Sequence, residues 1–271
     1  MSIDLVLIGC GNMGSAMLAG WLKAGKLTPD QVAVVEPNNA LRERAAVLGV
    51  SALSAASALP ANTAPSIVVI AVKPQVIKQV LADYAALGNA TTTFVSIAAG
   101  TPIATFESIL GDKTPVLRCM PNTPAAIGKG MMVTFANAHV SQAAQARIAD
   151  LLSSSGAVAS IPSEGLMDAV TALSGSGPAY VFHFIEALTS AGEAVGLPYD
   201  TAKLLAMQTV YGAANLAKDS GEEPGELRRQ VTSPNGTTQA GLEVLMGGDA
   251  LTKLLTKTVE AARDRGVELG K

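Results

Sequence analysis

The sequence contains little cysteine, little charge and no long apolar run, and each shortage excludes a class of protein. The 271 residues include only two cysteines, Cys10 and Cys119. Neither has another cysteine or a histidine nearby at a metal-ligand spacing, so we expect no structural disulfide and no bound metal. Two unpaired thiols fit a reducing compartment, and the predicted location is the cytoplasm.

Charged residues make up only 15% of the chain, and the formal net charge is -3. The sequence has no run of Lys or Arg with which a protein would contact nucleic-acid phosphates. The first apolar run ends at Gly9 and follows no cationic segment, so a secretion signal is not expected. The later apolar stretch 178–197 carries His183, Glu186 and Glu193, which favours an amphipathic or buried helix over a membrane span. We therefore expect neither a nucleic acid nor a membrane as a partner.

Apolar residues are abundant, at 49% of the chain. This content is ample for a large core and leaves apolar helical surface that a second subunit would cover. A chain of 271 residues exceeds the usual size of one compact domain. We expect two domains and a homo-oligomer.

Short apolar segments alternate with helical patterns through the first half of the chain. The predicted strands are 5–8, 32–35, 66–72, 93–97, 116–118 and 131–135, and the predicted helices are 13–24, 40–48, 75–87 and 103–110. Continuous apolar strands separated by helices are typical of a parallel sheet covered on both faces. The pattern predicts an α/β fold with a doubly wound, Rossmann-type sheet.

The strand signals stop after a predicted helix at 142–154 and a short apolar run at 157–161. The remaining segments have helical patterns, at 165–173, 178–195, 200–219, 223–231, 239–246 and 250–269. Pro162 and the turn that follows it mark the predicted boundary. We expect a dinucleotide-binding domain over 1–162 and an all-helical domain over 163–271.

A glycine-rich turn follows the first predicted strand, which ends at Ile8, and opens the first predicted helix. Its residues are Gly9, Cys10, Gly11, Asn12, Met13 and Gly14, which give the G-x-G-x-x-G spacing. In such a turn the first glycine permits the tight bend, the second admits a pyrophosphate, and the third lets helix and strand pack closely. Residues 8–14 are therefore predicted to bind NAD or NADP, with a plain strand-to-helix turn as the alternative.

Glu36 ends the second predicted strand, where an acid can hydrogen-bond the adenosine ribose of NAD and repel a 2′-phosphate. Asn38 and Asn39 could instead hydrogen-bond a phosphate, and Arg42 or Arg44 could neutralise it. A solvated acid at a strand end is a further alternative. The residues alone leave the choice between NADH and NADPH open.

Two more segments follow predicted parallel strands on the side that faces a bound dinucleotide. They are Ala71, Val72, Lys73 and Pro74 after one strand, and Ala98, Ala99 and Gly100 after the next. Small side chains there would admit the nicotinamide ribose. Lys73 is predicted as a contact on the cofactor side, with an ordinary charged strand end as the alternative.

The turn 233–238 is rich in hydroxyl groups and opens directly into a helical pattern. A helix start carries unpaired N–H groups and partial positive charge, so it can hold a carboxylate or phosphate without a cation. The alternative is that Thr237 or Thr238 simply caps its own helix. Ser176 lies in another helix break, at 174–178, which either contacts a substrate or is a packing kink.

The remaining polar residues suggest no protein-based catalyst. Arg118 is expected to pair with an acid in the fold, and the isolated His139 and His183 are expected to be structural or exposed. No Ser-His-Asp set, metal cluster or paired carboxylate motif is present in the sequence. Hydride transfer from the cofactor to a small anionic molecule is thus the expected reaction.

Taken together, these motifs resemble those of the pyrroline-5-carboxylate reductase family over essentially the whole chain and in the family's order. The matching segments are 9–14, 71–74, 96–100, Arg118 with 120–124, 174–180, and 233–238 apart from Asn235. The resemblance implies an N-terminal Rossmann domain and a helical dimerisation domain that interlocks in a dimer, with dimers often assembled into a decamer. It also implies the last step of proline synthesis, the reduction of 1-pyrroline-5-carboxylate to L-proline, with NADPH favoured and NADH possible because of Glu36.

The same resemblance assigns roles to the 233–238 turn. Ser233 and the N–H groups of Gly236 and Thr237 would hold the substrate carboxylate, and Thr238 would contact the imine nitrogen as the catalytic residue. Two positions depart from the family pattern. Asn235 replaces a usual glycine, and asparagine is the non-glycine residue that best tolerates a positive φ. Glu36 replaces a small polar residue found in many members.

Two other functions are compatible with parts of the sequence. The β-hydroxyacid dehydrogenase class joins a similar Rossmann domain to helices, but it needs a lysine on the helix after the glycine-rich break. Here that helix begins Ala179-Tyr180-Val181, and no lysine appears in the sequence after the break until Lys203. A non-catalytic NAD(P) sensor is the second alternative, although the anion site at 233–238 speaks against it.

Overall fold

Eight strands form one sheet at the centre of the first half of the molecule. The computed structural model describes residues 3–89 and 91–270. The strands are β1 (Leu5–Ile8), β2 (Val32–Val35), β3 (Ser51–Leu53), β4 (Ile67–Ile70), β5 (Thr93–Ser96), β6 (Val116–Met120), β7 (Gly130–Ala136) and β8 (Gly156–Ser160). Their order across the sheet is β3-β2-β1-β4-β5-β6-β7-β8. The predicted α/β fold with a Rossmann-type sheet is confirmed.

Neighbouring strands run parallel throughout, except that β7 is antiparallel to β6. The connection between these two strands contains only a short 3-10 turn, Thr123–Ile127, and no crossover helix. A parallel connection would need a crossover of a dozen or more residues. The strictly parallel order implied by the sequence pattern is therefore wrong at this one pairing.

The central strands of the sheet are buried on both faces, because β1, β2 and β4 are apolar at every position. On one face, Leu5, Leu7, Val32 and Val34 pack under helices α1 (Asn12–Lys23), α2 (Asn39–Ala46) and α5 (Gln142–Ser153). On the other, Val6 and its neighbours pack under helices α3 (Ile77–Ala82) and α4 (Ile103–Leu110). Successive strand side chains point to opposite faces, so an uninterrupted apolar strand fits only a sheet covered twice.

Helices make up the rest of the chain. They are α6 (Met167–Val170), α7 (Gly177–Ala194), α8 (Tyr199–Asp219), α9 (Pro224–Gln230), α10 (Thr237–Met246) and α11 (Ala250–Leu269), and a π-helical turn, Thr171–Gly175, follows α6. None of the helices in the described part of the chain combines the length and the apolar character that crossing a membrane requires.

The chain divides into two compact units. The first comprises residues 1–175 together with 262–271, and the second comprises 176–261. This division differs from the predicted boundary at 162/163 because the segment 163–175 packs within the first unit, as the contacts of Glu164 and Ser174 described below demonstrate. The last turns of α11 also return to the first unit, where a Cβ placed on Gly266 would lie 3.2 Å from Asp168 Oδ1.

The second unit has almost no core of its own. Within 176–261 only Thr189, Ala202 and Ala206 are buried, where α7 and α8 pack closely together. Large apolar side chains elsewhere in this unit are exposed, among them Phe182, Leu204, Tyr211, Val244 and Leu254. Monomeric proteins rarely expose so much apolar surface, so these helices have the surface of a subunit interface.

Candidate active site

The three glycines of the first turn are required for different physical reasons. Gly9 has φ +86°, and a Cβ there would lie 2.7 Å from the carbonyl oxygen of Ala71. A Cβ on Gly14 would lie 2.5 Å from the carbonyl oxygen of Gly9, whereas one on Gly11 would meet no atom within 4 Å. The first and third glycines therefore serve packing, and the second leaves open space beside the backbone. This is the division of roles that a dinucleotide-binding turn needs.

The start of α1 faces this open space with unpaired amides. Gly11 occupies the N-cap position and supplies no side-chain cap. Ser15 N–H donates to the Gly11 carbonyl oxygen, but the N–H groups of Asn12, Met13 and Gly14 have no protein acceptor within the described ranges. Such amides, together with the helix dipole, bind a pyrophosphate without a cation. The predicted cofactor residues at this turn thus fit a dinucleotide.

Glu36 is buried next to the glycine turn, with 7% of its surface exposed. Its Oε2 accepts the N–H of Cys10 at 2.8 Å, and its Oε1 accepts the N–H of Asn38 at 2.9 Å. The solvated strand-end acid is therefore not what the structure contains. Since Glu36 uses the Cys10 amide, that amide belongs to the protein's own turn and not to the set that faces a pyrophosphate.

The other predicted cofactor segments follow β4 and β5 in the same sheet. Ala71 N–H donates to the Ile8 carbonyl oxygen at 2.8 Å, so the 71–74 segment leaves the sheet directly beside the glycine turn. Lys73 and Pro74 are exposed, and Ala98 is buried. Gly100 has φ +67°, and a Cβ there would lie 4.0 Å from the Gly270 nitrogen at the end of α11.

Arg118 pairs with an acid, as its sequence position suggested. Its Nη1 lies 2.7 Å from Glu164 Oε1, and the same oxygen accepts the N–H of Ile103 at the start of α4. Arg118 is 6% exposed. Glu164 had no distinguishing sequence signal, because its partners are 46 and 61 residues away along the chain.

We predict that Glu164→Ala destabilises the fold strongly, because it leaves the Arg118 guanidinium buried without its counter-charge. Breaking a buried pair costs about 3–5 kcal/mol, and the partial exposure of Glu164 places the expected loss near 3 kcal/mol. Urea unfolding at fixed protein concentration measures this loss. Glu226→Ala, which removes an exposed pair with Arg229, is the matched control with a loss below about 1 kcal/mol. Equal losses for the two variants would contradict the prediction.

The first two residues of the helix break at 174–178 are fixed by packing within the first unit. Asn122 Nδ2 donates to the Ser174 carbonyl oxygen at 3.2 Å, and Asn122 Oδ1 accepts the N–H of Met131 at 2.8 Å. A Cβ on Gly175 would lie 2.5 Å from Met120 Cε. The packing-kink interpretation therefore accounts for Ser174 and Gly175, while Ser176 stands at the start of α7 as a predicted substrate contact.

The turn 233–238 presents unpaired donors. Helix α10 begins at Thr237 with Gly236 at the N-cap, and no side chain caps it. The N–H groups of Thr237 and Thr238, and the hydroxyls of both residues and of Ser233, make no hydrogen bond to any residue that the structure describes. The alternative in which Thr237 or Thr238 caps its own helix is therefore wrong.

One detail of the predicted cradle needs correction. The Gly236 N–H donates to the Ser233 carbonyl oxygen at 3.0 Å, so it closes the turn and is not available to a ligand. Asn235 adopts φ +56°, as expected for a residue in a glycine position. Its N–H donates to Gln239 Oε1 at 2.8 Å, and Gln239 in turn donates to Glu243. Gln239, which the sequence reasoning missed, thus holds the turn in place.

Histidine and cysteine contribute no reactive group to either segment. His139 and His183 are exposed, and His183 Nδ1 lies 3.1 Å from Glu186. Burial raises the pKa of the Cys119 thiol to about 12. Burial, and to a lesser degree the charge of Glu36, also raises the pKa of Cys10. Both thiols are therefore protonated near neutral pH, and the described residues contain no cluster that could hold a metal ion.

Two sequence models of known families match the chain. The model described as pyrroline-5-carboxylate reductase dimerisation matches residues 164–269, and the one described as NADP oxidoreductase coenzyme F420-dependent matches 4–100. Together they span the helical part and the glycine turn.

Individual relatives match over almost the whole length. The pyrroline-5-carboxylate reductase of Pseudomonas aeruginosa is 41% identical over 98% of this chain and 96% of its own. The Synechocystis enzyme of the same name is 40% identical over 100% of both chains. Among solved structures, the pyrroline-5-carboxylate reductase of Coxiella burnetii superposes over 100% of both chains with a TM-score of 0.92 and 34% identity. The pyrroline carboxylate reductase of Plasmodium falciparum, solved with NADP bound, covers 99% of this chain and 98% of its own, with a TM-score of 0.82 and 30% identity.

Proposed function

The chain belongs to the pyrroline-5-carboxylate reductase family, and from this premise we propose that it reduces 1-pyrroline-5-carboxylate to L-proline with NAD(P)H, the last step of proline biosynthesis. The observation that carries this proposal is the uncapped start of α10, where backbone N–H groups and hydroxyls are available to hydrogen-bond an anion. The glycine turn and α1 supply the dinucleotide site that a reductase also needs. The β-hydroxyacid dehydrogenase alternative is not favoured, since the relatives have the reductase name and the helix α7 contains no lysine.

The chain's own residues bind and orient the substrate. The Ser233 hydroxyl and the N–H groups of Thr237 and Thr238 hold the carboxylate, while Gly236 shapes the turn. Ser176 is proposed as a further substrate contact. When bound, NAD(P)H supplies the hydride that reduces the imine carbon. Residues 8–14, Glu36, Asn38, 71–74 and 98–100 are proposed to hold the cofactor.

Thr238 is proposed to contact the imine nitrogen. A threonine hydroxyl is a poor acid at its ordinary pKa, so its role is to orient the ring or to pass a proton from water. An imine that binds already protonated would only need the hydroxyl oxygen as a hydrogen-bond acceptor. In either case the Thr238 hydroxyl contacts the ring that reacts, and the loss of this contact slows turnover.

Self-association accompanies this function. The match to a dimerisation model and the exposed apolar helices of the second unit support a homodimer. Assembly of such dimers into a decamer and a cytoplasmic location belong to the proposal. So does the division of work between residues 1–162, which bind the dinucleotide, and residues 163–271, which dimerise and hold the substrate.

The deciding experiment follows the nicotinamide absorbance after 1-pyrroline-5-carboxylate is added to the purified protein with NADH or NADPH. Imine-dependent oxidation with formation of L-proline is expected. A folded protein that binds the cofactor but fails to oxidise it whichever cyclic imine is added would overturn the proposal in favour of a dinucleotide sensor.

We predict that Thr238→Ala lowers kcat/KM for the imine while cofactor binding stays unchanged. A hydrogen bond to a charged group contributes about 1.5–3 kcal/mol, so the expected loss is roughly tenfold to a hundredfold. Steady-state kinetics and a cofactor titration measure the two effects. Thr256→Ala on α11, whose hydroxyl bonds the Thr252 carbonyl oxygen, is the control. Unchanged imine kinetics in Thr238→Ala would remove this residue from the site.

A further inference from the structure

We propose that this chain prefers NADH to NADPH and that Glu36 sets the preference. The inference rests on the proposed function only in taking NAD(P)H as the reductant, and it departs from the NADPH preference that the family resemblance implies. It depends on how the structure holds the Glu36 carboxylate and on what the nearby polar side chains already contact.

The carboxylate of Glu36 is fixed in place. It is buried, and each of its oxygens accepts a backbone N–H, from Cys10 in the glycine turn and from Asn38 at the start of α2. An acid held only by its own side-chain torsions could rotate away from an incoming phosphate. Glu36 cannot do so without giving up both amides and leaving them unpaired.

A carboxylate fixed at this position favours the binding of NADH over that of NADPH. A carboxylate has about four lone-pair sites, so two remain after the Cys10 and Asn38 bonds. The ribose hydroxyls of NADH can donate to these sites, as they do to an acid at the end of the second strand of such sheets. A 2′-phosphate replaces one of these hydroxyls, is mostly doubly ionised near neutral pH and adds negative charge beside the acid.

The side chains that could compensate for this charge have other partners. Arg42 Nη1 donates to the carbonyl oxygens of Glu36 and Pro37, both at 3.1 Å, and its Nη2 donates to Asn39 Oδ1 at 2.5 Å. The Asn38 side chain caps α2 by accepting the N–H of Leu41. The phosphate ligands considered from the sequence therefore hold the β2–α2 turn together.

Arg44, the remaining arginine considered from the sequence, lies within α2 and faces a different part of the proposed site. It lines a hollow of about 510 Å³ together with Cys10, Asn12 and Ser15. Cys10, Asn12 and Ser15 belong to the glycine turn and the first turn of α1, where the proposed site would hold the pyrophosphate. Because NADH and NADPH share the pyrophosphate, Arg44 does not distinguish between them.

Calorimetric titration with ADP-ribose and 2′-phospho-ADP-ribose tests the inference without the nicotinamide and without turnover. We expect the wild-type protein to bind ADP-ribose at least about tenfold more tightly, which corresponds to about 1.4 kcal/mol. The kcat/KM values for NADH and NADPH with the imine should differ in the same direction. Equal binding of the two probes, or tighter binding of the phosphorylated one, would overturn the preference.

Two variants separate specificity from structure. Glu36→Gln keeps the length of the side chain but removes its charge, so the ratio of the two dissociation constants should fall towards one. If Glu36→Gln weakens the binding of both probes equally and the ratio stays unchanged, Glu36 only supports the glycine turn, and its role in cofactor preference is refuted.

Arg44→Ala is the matched control and should leave the ratio unchanged. A selective loss of 2′-phospho-ADP-ribose in Arg44→Ala would show that the chain binds the phosphate after all. Since neither probe involves the imine, the binding result can be interpreted even if the protein does not catalyse the proposed reaction.

Discussion

Gly14→Ala is expected to remove most of the NAD(P)H affinity and to destabilise the first unit. The added Cβ would lie 2.5 Å from the Gly9 carbonyl oxygen and 3.2 Å from the Ala71 Cβ. The Gly9 oxygen is a backbone atom and the Ala71 Cβ is bonded directly to the backbone, so neither can rotate aside and α1 has to move away from them. The amides of Asn12 and Met13 move with it. Overpacking of this kind costs about 1–3 kcal/mol, and we expect cofactor affinity to fall by about a hundredfold, or about 2.8 kcal/mol.

Gly11→Ala is the informative comparison for this prediction. A Cβ at Gly11 meets no protein atom within 4 Å, so the variant should unfold at the same urea concentration as the wild type. It should nevertheless lose cofactor affinity, because the methyl group occupies the space beside the backbone that a pyrophosphate would fill. Fluorescence titration with NADH and urea unfolding give the two readouts. Normal NADH binding by Gly11→Ala would mean that the pyrophosphate lies elsewhere.

Leu204→Glu is expected to abolish the dimer and, with it, the activity. Leu204 is 68% exposed on α8, and it lies opposite the side on which Ala202 and Ala206 pack. Burying a leucine side chain contributes about 1.5–3 kcal/mol, and an unpaired carboxylate in an apolar interface adds a further cost. Since residues 176–261 have almost no core of their own, we also expect the separated protomer to lose helical circular dichroism.

Sedimentation equilibrium over a range of protein concentrations measures this effect. Val47→Glu is a suitable control, because Val47 is also strongly exposed, at 86%, but lies at the end of α2 in the first unit. It should leave the molecular mass and activity unchanged. A Leu204→Glu protein that stays dimeric at all concentrations would place the interface on another face of the second unit.

The sequence predicted the fold well where a single pattern decides the structure. Strands such as 5–8 and 32–35 are apolar at every position, and only burial on both faces satisfies them. β3, Ser51–Leu53, was missed because it is a short edge strand that is only partly buried. The predicted helix 75–87 is shorter in the structure, Ile77–Ala82 with 3-10 turns on either side. Local propensity does not decide between these tight turns and a continuous helix.

The candidate site was predictable in its segments but not in its contacts. The spacing of glycines and the hydroxyl-rich turn are visible in the sequence because they depend on neighbouring residues. The clamp between Glu36 and Cys10 joins residues 26 positions apart, and nothing local to either residue indicates it. The use of the Gly236 amide inside its own turn depends on dihedral angles that the sequence only restricts.

The last turns of α11 are the part of the first unit that protein synthesis produces last. The unit that residues 1–175 begin also includes the segment 262–270, which lies against Asp168 and Gly100. A ribosome that has released the whole sheet has therefore not yet made the segment of this unit that lies against Asp168 and Gly100. The first unit reaches its complete form only after translation has passed residue 270. A proteolytic cut within 176–261 would leave its two parts on separate fragments, and function would then depend on their reassociation.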